Sequence, residues 1–202
     1  MKTEHLLAFE LKKMMGEMPL ENISALTLSE RCGISRKTFY YYYHNIYDLL
    51  AQVFLDERIK GVEYCKDYKS LLKKIFEYYQ DNEKFIDATI SSAGKDLFQE
   101  FIYNIFYQMT LKYVNELDEE KKLSPNAKKM ITRFYASGYS NSTLYYLSNY
   151  KNKTLNGLLN CYSFLGSKEL KNAVTNYIKN NANHWLFARK KEIKWKKKTL
   201  QV

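Results

Sequence analysis

The sequence predicts an all-α protein, and three observations carry that prediction. Only two prolines (Pro19, Pro125) and seven glycines occur in 202 residues, so few breakers that long helices are favoured over a many-stranded sheet. Apolar residues recur at three- and four-residue spacing along most of the chain. Serine, threonine and asparagine stand just ahead of several of those runs, where they suit helix N-caps. The 19 tyrosines are a counter-signal, since aromatic residues favour strands when read alone; their spacing is helical.

Taken in order, Leu7, Leu11, Met14, Met15 and Met18 define a first helix that Pro19 ends, and Glu21–Leu26 is a connector with Ile23 inward. Thr27-Leu28-Ser29-Glu30 fits a capping box with Thr27 as the cap. A short helix to Cys32 exits through Gly33. Ser35 caps the next helix, Arg36–Tyr43, and Asn45 with Asp48 starts a long one that runs through Leu49, Leu50, Val53 and Phe54 towards Tyr64. Two short helices joined by Gly33-Ile34-Ser35 have the form of a helix-turn-helix. Further helices are expected at Tyr68–Tyr79, Lys84–Ser92, Asp96–Leu117, Pro125–Tyr150, Leu155–Leu165 and Lys168–Lys179, with Ser124-Pro125 a strong start signal.

Composition narrows the function. The three cysteines (Cys32, Cys65, Cys161) are scattered, which reads as reduced thiols in a cytoplasmic protein and disfavours a zinc site. No metal spacing links the three histidines, and no cofactor motif appears. The start Met1–Glu4 leads into an amphipathic stretch rather than a signal peptide, and no apolar run approaches the ~20 residues of a membrane span. Phosphate-loop, dinucleotide, zinc-protease and nucleophile-elbow motifs are missing, so no enzyme is expected. The carboxylates Asp118-Glu119-Glu120 read as a solvated loop. The net charge of +10 invites a nucleic-acid partner. Yet residues 1–62 hold eight basic and eight acidic side chains, while 189–198 alone carries +6. Local arrangement, not global charge, must therefore identify the DNA-reading part.

Over Thr27–Leu50 the sequence resembles the TetR family of transcriptional regulators. The matching positions are Thr27, Cys32-Gly33, Ser35, Thr38-Phe39-Tyr40, Tyr43 and Leu49-Leu50. The resemblance covers residues 5–60 and implies a DNA-binding head (1–62) followed by a helical dimerisation and ligand-binding body (63–202). It implies that Ser35, Arg36, Lys37, Thr38 and Tyr41 face base edges of double-stranded DNA. Tyr40, Tyr42 and His44 would meet phosphates, as would the backbone at Thr27. Phe39 and Tyr43 should turn inward. One departure stands out: Ile46 replaces the lysine that the family commonly places before the long helix.

The resemblance further implies a homodimer on a palindromic operator, paired through Pro125–Tyr150 and Leu155–Leu165. The small-residue pairs Ala136/Ser140 and Gly138/Ser142 suit either that interface or a close contact within the chain. An aromatic set (Phe76, Tyr79, Phe98, Phe101, Ile102, Ile105, Phe106, Phe134, Tyr135) either fills the core or lines a pocket for a small apolar or aromatic effector. Two rival roles remain: a TetR-like co-activator working through a partner protein, and a basic protein whose tail Arg189–Val202 meets nucleic acid or a membrane surface.

Overall fold

A computed structural model of the chain describes residues 2–120, 122–163 and 168–181. Among the described residues all regular structure is helical. The tail Arg189–Val202 lies outside them.

Helix α1 (Thr3–Met15) turns Leu7, Leu11, Met14 and Met15 inward, one face of a 3.6-residue repeat. A 3₁₀ turn at Leu20–Asn22 follows Pro19. Helix α2 spans Ala25–Arg31, and its cap is Ser24 rather than Thr27. The Ser24 hydroxyl accepts from the Thr27 amide at 3.1 Å, and the Ser24 amide donates to the Thr27 hydroxyl at 3.0 Å. The sequence expectation is thus one turn late. Ser24-x-x-Thr27 competes with Thr27-x-x-Glu30, and the earlier start wins because it adds a turn and buries Ala25 as well as Leu28.

Helix α2 closes in a Schellman motif. The Gly33 amide donates to the Glu30 carbonyl at 3.1 Å and the Ile34 amide to the Ser29 carbonyl at 3.0 Å. Gly33 has φ +64°, the left-handed conformation that this motif needs. Helix α3 is Arg36–Tyr42, capped by Ser35, whose hydroxyl accepts from the Thr38 amide at 3.0 Å. Helix α4 is Ile46–Asp56, capped by Asn45.

The long helix expected towards Tyr64 stops at Asp56. Glu57 is extended, and a 3₁₀ turn at Val62–Tyr64 follows Gly61, itself at φ +84°. The stop has a local and a remote cause. The Arg58 guanidinium donates to the Leu55 and Glu57 carbonyls at 2.7 and 2.6 Å, satisfying groups at the helix end. The Glu57 carboxylate is held by Lys12 of α1 at 2.6 Å.

The body contains α5 (Tyr68–Asp81), α6 (Glu83–Ile90), α7 (Lys95–Leu117), α8 (Pro125–Asn149), α9 (Leu155–Asn160) and helical residues 168–181. Helices α7 and α8 make the most extensive pairing. Their hairpin turns on Asp118, which is buried rather than solvated. Its carboxylate accepts from the Lys122 and Leu123 amides at 2.7 and 3.1 Å and meets the Lys128 ammonium at 3.1 Å. One buried apolar cluster runs continuously from α1 to α9. A smaller one joins Val114, Leu123 and Ala127 to Leu170 and Val174. Where α4 meets the start of α7, a Cβ on Gly94 would lie 2.7 Å from Leu50 Cδ2, so a larger residue would make the Leu50 side chain shift.

Candidate nucleic-acid interface

Helix α3 stands on one buried anchor. Phe39 is fully buried and packs against Tyr43 at 6.0 Å between ring centroids, with Tyr43 and Ile34 partly buried beside the core. With Phe39 fixed, the helical repeat sends its neighbours outward. Arg36 and Lys37 are exposed, and so are Tyr40, Tyr41 and Tyr42, Tyr41 being 82% accessible. Thr38 is half-buried, its hydroxyl 2.8 Å from that of Ser35. The Arg36 guanidinium lies along the helix, donating to the Tyr40 hydroxyl at 3.2 Å and resting 5.3 Å from the ring centroid. His44 is exposed at the α3–α4 link, its amide bonded to Asp48 at 3.1 Å. Thr27 is exposed on the first turn of α2, its hydroxyl committed to Ser24. Thr27 apart, the sequence-predicted residues therefore lie on α3 and its two flanks.

The α4 start adds one residue that the sequence did not single out. Ile46, in the place of the expected lysine, is buried, while Tyr47 beside it is exposed. A polar aromatic at the second position of a capped helix, next to an inward isoleucine, was the available signal.

Ion pairing explains how an electrically neutral head keeps a cationic face. Arg31 is a double clamp: Nη1 and Nη2 meet both Glu17 oxygens at 2.6 and 2.7 Å, and Nε meets Glu10 at 3.0 Å. The hydrogen bond from Arg31 holds the Glu17 carboxyl below its ordinary range. Lys12 is engaged by Glu57. Arg36 and Lys37 have no acidic partner among the described residues, so α3 keeps two uncommitted positive charges.

Comparison with known proteins bears on the body and on the fold. Residues 66–160 match a TetR family model described as a transcriptional regulator C-terminal region. The chain also shares its fold with a solved structure of the dihydroxyacetone kinase operon activator DhaS. That likeness has a TM-score of 0.53 at 22% identity and covers 88% of this chain and 96% of that one. No curated protein matches the sequence. Residues 66–160 are thus similar to the C-terminal region of TetR-type transcriptional regulators.

TetR-type regulators bind DNA, and α2–α3, which lies ahead of the matched region, has the form of a helix-turn-helix. The body of the chain resolves the readings left open by its aromatic residues. Most of the stripe is core: Phe76, Tyr79, Phe98, Phe101, Ile102 and Phe106 are buried, whereas Phe134 is 75% exposed. Between α5, α7, α8 and the α9 end the interior is filled by stacked rings. Tyr68 lies on Tyr139 at 4.0 Å and 13°, with Phe106 at 5.5 Å and Tyr162 at 5.3 Å from Tyr139. Desolvation pushes the Tyr139 hydroxyl up to about 12 and raises those of Tyr68 and Tyr162, so the stack stays neutral. Of the small pairs on α8, Ala136 and Ser140 are buried within the chain, while Gly138 is exposed, with open space within 4 Å of where a Cβ would lie. No described helix is long and apolar enough to cross a membrane.

Proposed function

We propose that this regulator binds palindromic operator DNA as a cytoplasmic homodimer, with a head over residues 1–62 and a body over 63–202. The observation that carries the reading is α3: a short helix anchored by Phe39 and presenting two unpaired cations and a row of hydroxyls. In the major groove, Arg36 and Lys37 suit guanine O6 and N7. Tyr41 and the Ser35–Thr38 end of the helix meet neighbouring base edges. Tyr40, Tyr42, His44 and Tyr47 take the phosphates alongside, and the first turn of α2 at Thr27 offers backbone amides to another.

The dimer reading draws on α8. Met130, Phe134, Gly138, Asn141 and Tyr145 form one exposed stripe, with Met130, Phe134 and Tyr145 at 61%, 75% and 63% accessibility. A helix in a finished monomer rarely leaves three large apolar groups aligned in water. A two-fold partner covers them, and Gly138 at the centre lets the two backbones come close. A small apolar or aromatic effector then alters the spacing of the two heads.

The test is selection of bound sequences from random duplexes with the full chain, repeated with Arg36→Ala and Lys37→Ala. The expected result is a palindromic consensus that each substitution relaxes at its own position. Binding without sequence preference, unchanged by either substitution, refutes the reading.

A further inference from the structure

Arg36 and Lys37 stand side by side on the first turn of α3, each with a tyrosine four residues on, where neighbours on a helix surface meet. The two pairs are not alike. The Arg36 guanidinium donates from Nη2 to the Tyr40 hydroxyl at 3.2 Å and rests 5.3 Å from the ring centroid. The Lys37 side chain has no hydrogen bond, ion pair or ring contact among the described residues, and Tyr41 is 82% exposed. One cation is held and the other is loose.

The difference traces to the core. Phe39 is fully buried, and the Tyr40 ring stands edge-on to it, 5.4 Å between centroids and 85° between planes. Tyr40 is thereby steadied by the anchor of the helix, and its hydroxyl is where Arg36 lies. Tyr41 leans instead on Tyr42, itself exposed.

This arrangement bears on what Arg36 does beside DNA. Tyr40 takes a single guanidinium N–H, and the others suit the O6 and N7 acceptors of guanine. The phenolic hydroxyl accepts from Arg36 and keeps its own hydrogen to donate to a phosphate. A loose arginine that faces the wrong base swings to a nearby phosphate and recovers affinity there. An arginine tied to Tyr40 does so only by breaking the tie, so the wrong base is penalised. Holding the side chain beforehand also lessens the rotamer freedom lost on binding.

We propose that Tyr40 is a positioning residue that holds Arg36 for guanine, so that the base at the Arg36 position is read more stringently than the base at the Lys37 position. The proposal rests on the operator reading above and goes beyond it by giving Tyr40 a part in base discrimination as well as a phosphate.

The first measurement uses the full chain without DNA. NMR relaxation of the Arg36 Nε–H should report a more ordered guanidinium in the unaltered chain than in Tyr40→Phe, which keeps the ring edge on Phe39 and removes only the hydroxyl. Equal order in the two overturns the hold. The second measurement compares affinities for the selected operator and for a duplex altered at the guanine that Arg36→Ala relaxes. Tyr40→Phe should shrink that ratio about three- to tenfold, and leave the ratio at the Lys37 position as it was. On the altered duplex the salt dependence of Tyr40→Phe should steepen, by at most about 0.9 in log–log slope, as the released Arg36 takes a phosphate. In an Arg36→Ala background, Tyr40→Phe should leave the ratio at that position unaltered, because the two side chains act as one. If Tyr40→Phe weakens both duplexes by the same factor, Tyr40 is a phosphate contact alone and the proposal is overturned. A loss of discrimination that Tyr40→Phe still causes without Arg36 overturns it too. Both results leave the operator reading standing. Binding with no sequence preference at all sinks the operator reading and this proposal with it.

Discussion

Gly33→Ala isolates the turn on which the placement of α3 depends. Gly33 sits at φ +64° with nothing within 4 Å of where a Cβ would lie. Alanine therefore meets no clash, and the whole penalty is conformational. An L-residue held in the left-handed region costs about 1–2 kcal/mol. Stiffening the unfolded chain returns about 0.4–1 kcal/mol. The net loss is about 1 kcal/mol, which for a chain of this size lowers Tm by about 2–4 °C. Gly33→Asn should lose less, because asparagine tolerates the left-handed region better. The assay is thermal unfolding by circular dichroism at one fixed protein concentration, since an oligomer's Tm depends on it. Tm unchanged or raised by alanine, or lower for asparagine than for alanine, refutes the Schellman account of the α2–α3 turn.

Three further outcomes follow from the same geometry. Phe39→Ala removes the one fully buried side chain of α3 and should cost about 3–5 kcal/mol; hydrogen exchange should show α3 opening well before α7. Glu17 has its carboxyl lowered by Arg31 in the folded state, so this clamp contributes stability above the ordinary value of 4.5 and loses it as pH falls through the lowered one. Tm measured from neutral to acid pH should fall less steeply in Arg31→Met, which is already without the clamp, than in the unaltered chain. Phe134→Glu, placing a charge at the most exposed apolar position of the α8 stripe, should give a folded monomer by sedimentation equilibrium; an intact dimer sinks the α8 interface.

What could be read from the sequence was what neighbours within four residues decide. Gly33, Ser35, Asn45 and Ser124 act through their own backbone or the next turn, and each does in the structure what its type suggests. Thr27 misled because two cap candidates stand three residues apart, and the choice between them depends on whether Ala25 is buried. The end of α4 was hidden for a different reason. Its periodicity runs on past Asp56, and the residue that holds Glu57 out of the helix is Lys12, 45 positions earlier. The cavity between α7 and the connector that follows α4 could not be foreseen without that break, because the connector is its outer wall. Asp118 likewise reads as one of three loop carboxylates until the hairpin folds and Lys128 arrives beside it.

On the reading proposed above, the charge distribution gives dimerisation a role in recognition itself. Arg31 and Lys12 are occupied in holding α1 to α2 and to the connector. What remains free on the reading helix is Arg36 and Lys37. Even if both were spent on phosphates instead of base edges, two cations would give a salt dependence no steeper than about −2 in log–log slope for a single reading helix. Such a head binds weakly at physiological salt, and the hydroxyls of Tyr40, Tyr41, Tyr42 and Tyr47 add hydrogen bonds rather than counterion release. Two heads fixed in one frame double the slope to about −4 and lose translational freedom only once. In the proposed dimer the long α7–α8 hairpin, with its interior ring-filled and its α8 stripe bare, would supply that frame. The basic balance of the whole chain contributes nothing to this, since residues 1–62 carry none of it. Specificity on so small a positive surface has to come from where Phe39 points α3 and from how far apart the dimer holds two copies of it.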